Sequence, residues 1–186
     1  TFSVEIDWGG LEGTSAAVVS GNTFTASHQY LDDNPTGTSF DVYEVTATAT
    51  DNDGGTGAPT SLNVEITNVD PEITGLTGDD AAGSVSVDFT DVGTLDTHGV
   101  SIDWGDGSLP EPVALSASAP GSGSAWAEHL FPQFGTYNVT VTVTDDDTGS
   151  VINNVELVIG GGACECAMSK GWWKKQYDPK QIEKGN

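Results

Sequence analysis

A phrase of ten residues at His98–Gly107, HGVSIDWGDG, joins a strand pattern to a tight turn. Before the turn, polar residues alternate with the apolar Val100, Ile102 and Trp104. Alternation with a period of two is typical of a half-buried strand, and the glycines that follow supply the backbone freedom a turn needs. The same phrase stands near the beginning of the chain as FSVEIDWGG, at Phe2–Gly10. The sequence therefore predicts two copies of one β-structure in the chain.

Three further segments repeat in the same order along the chain. His28–Tyr30 matches His129–Phe131, Tyr43–Asp53 matches Tyr137–Asp147, and Asn63–Ile66 matches Asn154–Leu157. The offset between matched segments drifts only across the loops, between 91 and 101 residues. Conserved order with drifting loops is expected for two copies of one domain.

The domain organisation follows from this repeat. Asn68-Val69-Asp70-Pro71 is predicted to be a stiff linker, because the residue before a proline favours extended geometry. Residues 70–160 are predicted to form a complete two-sheet sandwich of seven strands, two of them at Pro112–Ser116 and Ser124–Phe131. Residues 1–69 form the matching copy, with a strand at Asn22–Tyr30, and residues 161–186 form a tail behind a glycine hinge.

The first copy is predicted to be an incomplete sandwich. About 29 residues precede the IDWG phrase in the second copy and supply two strands, whereas five precede it in the first. Apolar faces and strand edges would be left unpaired there. Two explanations stay open: a longer polypeptide supplies upstream strands, consistent with Thr1 marking a processed form or a fragment, or another chain adds its own strands.

At this point the residues suggest a family. The WGDG turn at Trp104–Gly107, then His129–Phe131, then G-x-Y-x-V-x-V-x-V-x-D at Gly135–Asp145 resemble the PKD domain, an immunoglobulin-like β-sandwich. The first copy departs from the pattern, since Gly10 stands in place of the turn aspartate. The resemblance implies an extracellular or cell-surface setting and a spacer, adhesive or polysaccharide-contacting role that is not catalytic.

Charge is divided unevenly along the chain. All but three of the 28 Asp and Glu lie in residues 1–163, which contain no Lys or Arg, whereas all five Lys lie between Lys170 and Lys184. An acidic body excludes nucleic acid and anionic lipid as partners, and it attracts divalent cations or a basic segment of another copy. No apolar run is long enough to span a membrane.

The acidic turns are the candidate metal sites. The predicted ligands are Asp51 and Asp53 after the central strand of the first copy, Asp145 and Asp147 after that of the second, and Asp70 in the linker. Ca²⁺ binds about six to eight oxygens, and the linker aspartate could join a neighbouring loop in a site between the two domains. The alternative is that these are turn residues with solvated carboxylates. No other cofactor is predicted.

The tail differs in composition from the rest of the chain. Its candidate interface residues are Cys164, Cys166, Trp172, Trp173, Lys174, Lys175 and Tyr177. The two cysteines could bridge between chains, bind a soft metal with other ligands, or stay free. The aromatic residues could dock on another copy or pack on this chain's own sandwich.

The function predicted from these features is structural. Trp8 and Trp104 are expected in the core, with His28 and His129 packed beside them, and no catalytic motif is present in the sequence. We expect a non-catalytic extracellular or cell-surface protein that assembles into a filament or layer by exchanging strands or tails between copies. Its partners would be itself, neighbouring surface proteins or polysaccharide. The alternative is a ligand-binding accessory module of a larger secreted enzyme.

Overall fold

The computed structural model describes residues 1–33 and 37–160. These residues form fourteen strands and no helix, which confirms the predicted all-β fold. The strands are β1 Phe2–Asp7, β2 Thr14–Ala16, β3 Val18–Ser20, β4 Thr23–Thr25, β5 Phe40–Asp51, β6 Thr60–Thr67, β7 Glu72–Asp79, β8 Ser84–Thr90, β9 Gly99–Asp103, β10 Glu111–Val113, β11 Leu115–Ala119, β12 Ser122–Glu128, β13 Gly135–Thr144 and β14 Ser150–Ile159. Within the described ranges, no helix could cross a membrane.

Strands β7 to β14, here called the C-terminal unit, form a two-sheet sandwich. One sheet has the order β11-β12-β8-β7 and the other β10-β9-β13-β14, with all neighbouring pairs antiparallel. If the strands are lettered in chain order from A for β7 to G for β14, with β10 as C′, these are the A-B-E-D and C′-C-F-G sheets of the immunoglobulin-like fold. The Tyr137 hydroxyl donates to the Gln133 carbonyl at 2.9 Å, as in the tyrosine corner of that fold.

The core of the C-terminal unit lies between its two sheets. Inward-facing valines of β13 meet the apolar side of β8, and Trp104 and Leu157 complete the cluster. Its fully buried members include Val85, Val87, Val139, Val141 and Val143. Burying each such side chain contributes about 1.5–3 kcal/mol, so β8 is a principal source of stability for this unit.

Strands β1 to β6, here called the N-terminal unit, contain one full sheet and one short hairpin. The sheet has the order β2-β1-β5-β6 and the hairpin pairs β3 with β4. Asp7 pairs with Thr46 and Asp103 pairs with Thr140, so residues matched in the sequence hold the same register in both sheets. Among the described residues, no strands occupy the places that β7 and β8 take in the C-terminal unit.

The repeated IDWG phrase builds the same turn in both units. Asp103 accepts a hydrogen bond from the Gly105 amide at 2.9 Å, and Asp7 accepts one from the Gly9 amide at 3.0 Å. Gly105 has a φ of 71°, and a Cβ on it would lie 2.5 Å from the Asn138 carbonyl oxygen. Only glycine fits where a turn with positive φ lies against the neighbouring strand.

Three sequence predictions differ from the structure. The segment Pro112–Ser116 forms parts of two strands, β10 and β11, because the chain crosses there from one sheet to the other. The strand expected over Asn22–Tyr30 ends at Thr25, since β4 has only β3 as a neighbour in the described chain. Trp104 is buried as predicted, but Trp8 is only half-buried, because it lines an open groove between the sheet and the β3–β4 hairpin.

Candidate functional site: a buried acidic cluster

Four segments that are far apart in sequence meet between the two units. The segment after β4 brings Asp32 and Asp33, the linker brings Asn68, the β8–β9 loop brings Asp91 and Asp96, and the β13–β14 loop brings Asp145, Asp146 and Asp147. Carboxylate oxygens of Asp32, Asp91 and Asp96 all lie within 4.8 Å of one another. Oxygens of Asp96, Asp146 and Asp147 meet the same limit, so Asp96 belongs to both groups. We call these eight residues the acidic cluster.

Part of the acidic cluster is held in place by ordinary hydrogen bonds. Asp32 Oδ1 accepts from the amides of Asp33 and Val69, both at 2.9 Å. Asp145 accepts from the Gly149 amide at 2.7 Å and from Asn68 Nδ2 at 2.9 Å. The bonds to Val69 and Asn68 join the linker to the two loops and position the free oxygens around it.

Six other oxygens of the acidic cluster are buried without a hydrogen-bond partner. Asp33 is 0% exposed, and neither of its carboxylate oxygens receives a hydrogen bond. The same is true of one oxygen on each of Asp32, Asp96, Asp147 and Asn68. An unpaired carboxylate taken out of water costs several kcal/mol, so this concentration of orphaned acceptors requires a physical explanation.

The electrostatics of the acidic cluster are unfavourable for the charged form. Burial and the neighbouring carboxylates of Asp32 and Asp147 raise the pKa of Asp33 to about 7. Burial and the nearby carboxylates of Asp32 and Asp147 raise the pKa of Asp96 to about 7 as well. Burial also raises the pKa of Asp147. Residues 1–160 contain no Lys or Arg that could neutralise these groups.

Two glycines let the backbone approach the carboxylates closely. A Cβ at Gly93 would collide with the free Oδ2 atoms of Asp32 and Asp96. A Cβ at Gly149 would collide with Asp145 and come within 2.7 Å of Asp70 Oδ1. Any larger residue at these two positions would push the oxygens apart.

The structure brings together some of the predicted metal ligands and separates others. Asp145 and Asp147 lie in the acidic cluster, and Asp70 lies at its exposed edge beside Gly149. Asp51 and Asp53 lie in the β5–β6 turn, where Asp51 Oδ1 accepts from the amides of Asp53 and Gly55. The predicted interface residues Cys164, Cys166, Trp172, Trp173, Lys174, Lys175 and Tyr177 lie outside the described residues.

Sequence reasoning missed Asp32, Asp33, Asp91 and Asp96. The Asp32-Asp33 doublet read as part of a polar loop, and nothing local distinguishes Asp91 or Asp96 from turn residues. The available signal was indirect, since a body without Lys or Arg has few means of neutralising a buried carboxylate.

Each of the three histidines is paired with a carboxylate, and His98 lies 2.9 Å from Asp91 of the acidic cluster. His129 lies 2.9 Å from Asp106 and stacks on Trp104, and the matching His28 lies 2.8 Å from Glu12 and stacks on Trp8. Hydrogen bonds from Ser108 and His129 lower the pKa of Asp106 below its usual range. These contacts place both rings in packing roles beside the tryptophans.

A second surface feature lies on the N-terminal unit. A groove of about 390 Å³ runs between the sheet and the β3–β4 hairpin, and its apolar walls include Ile6, Trp8, Phe24, Val45 and Leu62. In the C-terminal unit, Ile102 and Val139 are the matches of Ile6 and Val45, and they pack in one cluster with Val85, Val87 and Phe89 of β8. We call this feature the open groove.

Comparison with known proteins gives a structural neighbour but no family. No protein-family model matches the chain, and no curated protein matches it. One similar solved structure is that of the fibronectin(III)-like modules of Clostridium thermocellum CbhA, with 18% identity and a TM-score of 0.34. The alignment covers 84% of this chain and 77% of that one. The immunoglobulin-like assignment of the C-terminal unit follows from its own strand order.

Proposed function

We propose that this chain is a non-catalytic, extracellular structural protein of the PKD-like kind that assembles with neighbouring polypeptides by strand addition to its N-terminal unit. The observation that carries the proposal is the open groove beside the unpaired edge of β4. An acidic body and the PKD-like motifs in the sequence support the surface setting.

The open groove offers the two features that strand addition requires, which are unpaired backbone groups and an apolar surface. Backbone groups on the outer edge of β4 have no strand partner in the described chain, so they are available to a new ladder. The sheet beneath supplies apolar side chains, and the N-terminal core cluster contains only Val4, Ile6 and Val45 as buried members. Main-chain bonds would supply affinity, and the apolar wall would supply register.

The occupant of the open groove would be a pair of extended segments with alternating apolar residues, donated by a neighbouring chain. In the C-terminal unit, β7 and β8 occupy the equivalent place. Strand β8 pairs with β12, with Ser84 opposite Glu128, and β7 pairs with the other edge of β8. On β8 the apolar positions Val85, Val87 and Phe89 point into the core. The strands that complete a polymer would carry the same pattern.

The test uses the whole chain and two matched variants. Leu62→Asp places a charge on the wall of the open groove, where Leu62 is 59% exposed. Ile152→Asp is the control, because Ile152 is 61% exposed on the edge strand β14 of the other unit. Analytical ultracentrifugation should detect polymers of the wild type and of Ile152→Asp. Leu62→Asp should associate at least tenfold more weakly, since burying a leucine contributes about 1.5–3 kcal/mol.

A synthetic peptide of residues 71–90, which carries the β7 and β8 sequences, provides a direct probe of the open groove. Its binding should change the fluorescence of Trp8, which lines the groove. A wild-type chain that stays monomeric at high concentration and does not bind the peptide would contradict the proposal. A longer polypeptide whose own upstream strands fill the groove would also give a monomer, and its intact mass would reveal it.

A second candidate function rests on Trp126. This residue is 52% exposed on β12 and lines a shallow cavity of about 140 Å³ together with Thr77, Ser84 and Ser86. An exposed aromatic ring among hydroxyl groups is suited to stacking on a sugar, which favours the accessory-module alternative. Retention on insoluble polysaccharide that is lost in Trp126→Ala, with monomeric behaviour in solution, would favour this function over assembly.

A further inference from the structure

We propose that the acidic cluster binds a calcium ion through carboxylate oxygens of Asp32, Asp91 and Asp96, which lie within 4.8 Å of one another, and of the adjoining Asp33 and Asp147, and that the ion fixes the N-terminal unit against the C-terminal unit. The inference is independent of assembly through the open groove. It rests on the cluster's geometry and on the orphaned oxygens that it contains.

The burial of Asp33 is the observation that separates this cluster from an ordinary acidic surface. Exposed carboxylates need no partner because water solvates them, but Asp33 is 0% exposed and both of its oxygens lack a hydrogen bond. Asp32 and Asp147 are also buried, and each has one oxygen in the same state. A buried charge is stabilised by an opposite charge, and residues 1–160 contain no Lys or Arg.

The donor set matches the chemistry of Ca²⁺. This ion takes about six to eight oxygen ligands in irregular geometry, whereas Mg²⁺ requires a near-ideal octahedron and usually retains water. The unpartnered atoms of the acidic cluster are all oxygens, from four aspartates and the side-chain carbonyl of Asn68. They are supplied by separate loops, which favours a large and flexible coordination sphere.

The position of the acidic cluster gives the ion a mechanical role. Asp32 belongs to the N-terminal unit, and Asp91 and Asp96, whose oxygens lie within 4.8 Å of its own, belong to the C-terminal unit. A single ion coordinated by this group would connect the units across the linker, in addition to the hydrogen bond from Val69 to Asp32. Without the ion, repulsion between the same carboxylates would drive the units apart.

The experiment is calorimetric titration of Ca²⁺ into the full chain after removal of bound metal by a chelator, with Mg²⁺ as the comparison. We expect saturable Ca²⁺ binding that is at least tenfold tighter than Mg²⁺ binding. At a Ca²⁺ concentration about a hundredfold above Kd, the unfolding midpoint should rise by about 5–10 °C. X-ray scattering should show the radius of gyration falling on addition of the ion.

Three substitutions locate the site. Asp33→Asn and Asp96→Asn should each weaken Ca²⁺ binding by at least tenfold, one from each unit. Asp53→Asn is the matched control, because Asp53 is the repeat equivalent of Asp147 but lies in the exposed β5–β6 turn. The affinity of this variant for Ca²⁺ should differ from that of the wild type by less than twofold.

Stability in chelator separates a binding defect from a folding defect. Asp33→Asn removes a buried charge, so its unfolding midpoint in chelator should equal or exceed that of the wild type. The inference is overturned if the wild type takes up no Ca²⁺ at millimolar concentration, or if Asp33→Asn and Asp96→Asn bind it with unchanged affinity. A lower midpoint of Asp33→Asn in chelator would likewise count against a site built to hold a cation.

Discussion

The N-terminal and C-terminal units use the same turn, the same central strand register and the same histidine-on-tryptophan stack, but they differ in what covers the inner face of the sheet. In the C-terminal unit β8 covers it and eleven residues form the buried core. In the N-terminal unit the matching face borders the open groove, and the core cluster has only three buried members. The sheet with its turn therefore keeps its geometry without the opposing strands, whereas burial depends on them.

The largest expected effect comes from the strand that only one unit has. Phe89→Ala on β8 should destabilise the C-terminal unit by about 3–5 kcal/mol, because it empties the space of a buried aromatic ring. Denaturant unfolding followed by tryptophan fluorescence would measure it. A loss below about 1 kcal/mol would mean that β8 does not anchor this core.

A matched pair of valines tests the comparison more closely. Val139→Ala should cost about 2 kcal/mol, because Val139 is fully buried between two sheets. Val45→Ala, at the repeat-matched position, should cost about half as much, since one side of the Val45 side chain lines the open groove. Equal losses in the two unfolding transitions would indicate that the groove is filled in solution.

The next effect concerns the turn aspartate that the N-terminal unit replaces with Gly10. Asp106→Asn should destabilise the C-terminal unit by about 1–2 kcal/mol at pH 7, through weaker hydrogen bonds with Ser108 and His129.

The same substitution has a defined pH dependence. Ser108 and His129 hold the pKa of Asp106 below its usual value of 3.8, so the contribution of the charged form is present above that value and is lost as the pH falls toward the lower pKa of the folded state. The difference between wild type and variant should therefore shrink in unfolding experiments below about pH 4. A difference that grows toward low pH would contradict this assignment.

The smallest effect is expected at the indole of Trp8. Its Nε1 donates to Ser15 Oγ at 2.9 Å, while the matching Trp104 donates to Glu111 at 2.6 Å. Ser15→Ala should cost only about 0.5 kcal/mol, because water can reach a half-buried indole and replace the acceptor. Glu111→Ala should cost more, and the ratio of the two losses can be measured by thermal unfolding.

Local patterns predict most of the strands and few of the long-range contacts. Alternation at Tyr43–Thr50 and Tyr137–Thr144 predicts β5 and β13, because period-two burial is a local property. The crossing from β10 to β11 at Ala114 has no such signature, since the alternation continues while the hydrogen-bonding partner changes. The acidic cluster is harder still to predict. Asp145 and Asp147 stand out in their turn, but only the folding of the C-terminal unit brings Asp96 to Asp147, and only the packing of the two units brings Asp32 to Asp96.

The crossing at Ala17 has a consequence for the N-terminal unit. The amide of Ala17 donates to the Val4 carbonyl at 2.8 Å, and the chain then leaves the sheet to form the β3–β4 hairpin above it. The hairpin is thus tethered over the sheet by its own backbone rather than by the strands that would lie beside it. If neighbouring strands add to this unit as proposed, they would dock beside β4 without displacing a strand, because β4 pairs only with β3 in the described chain.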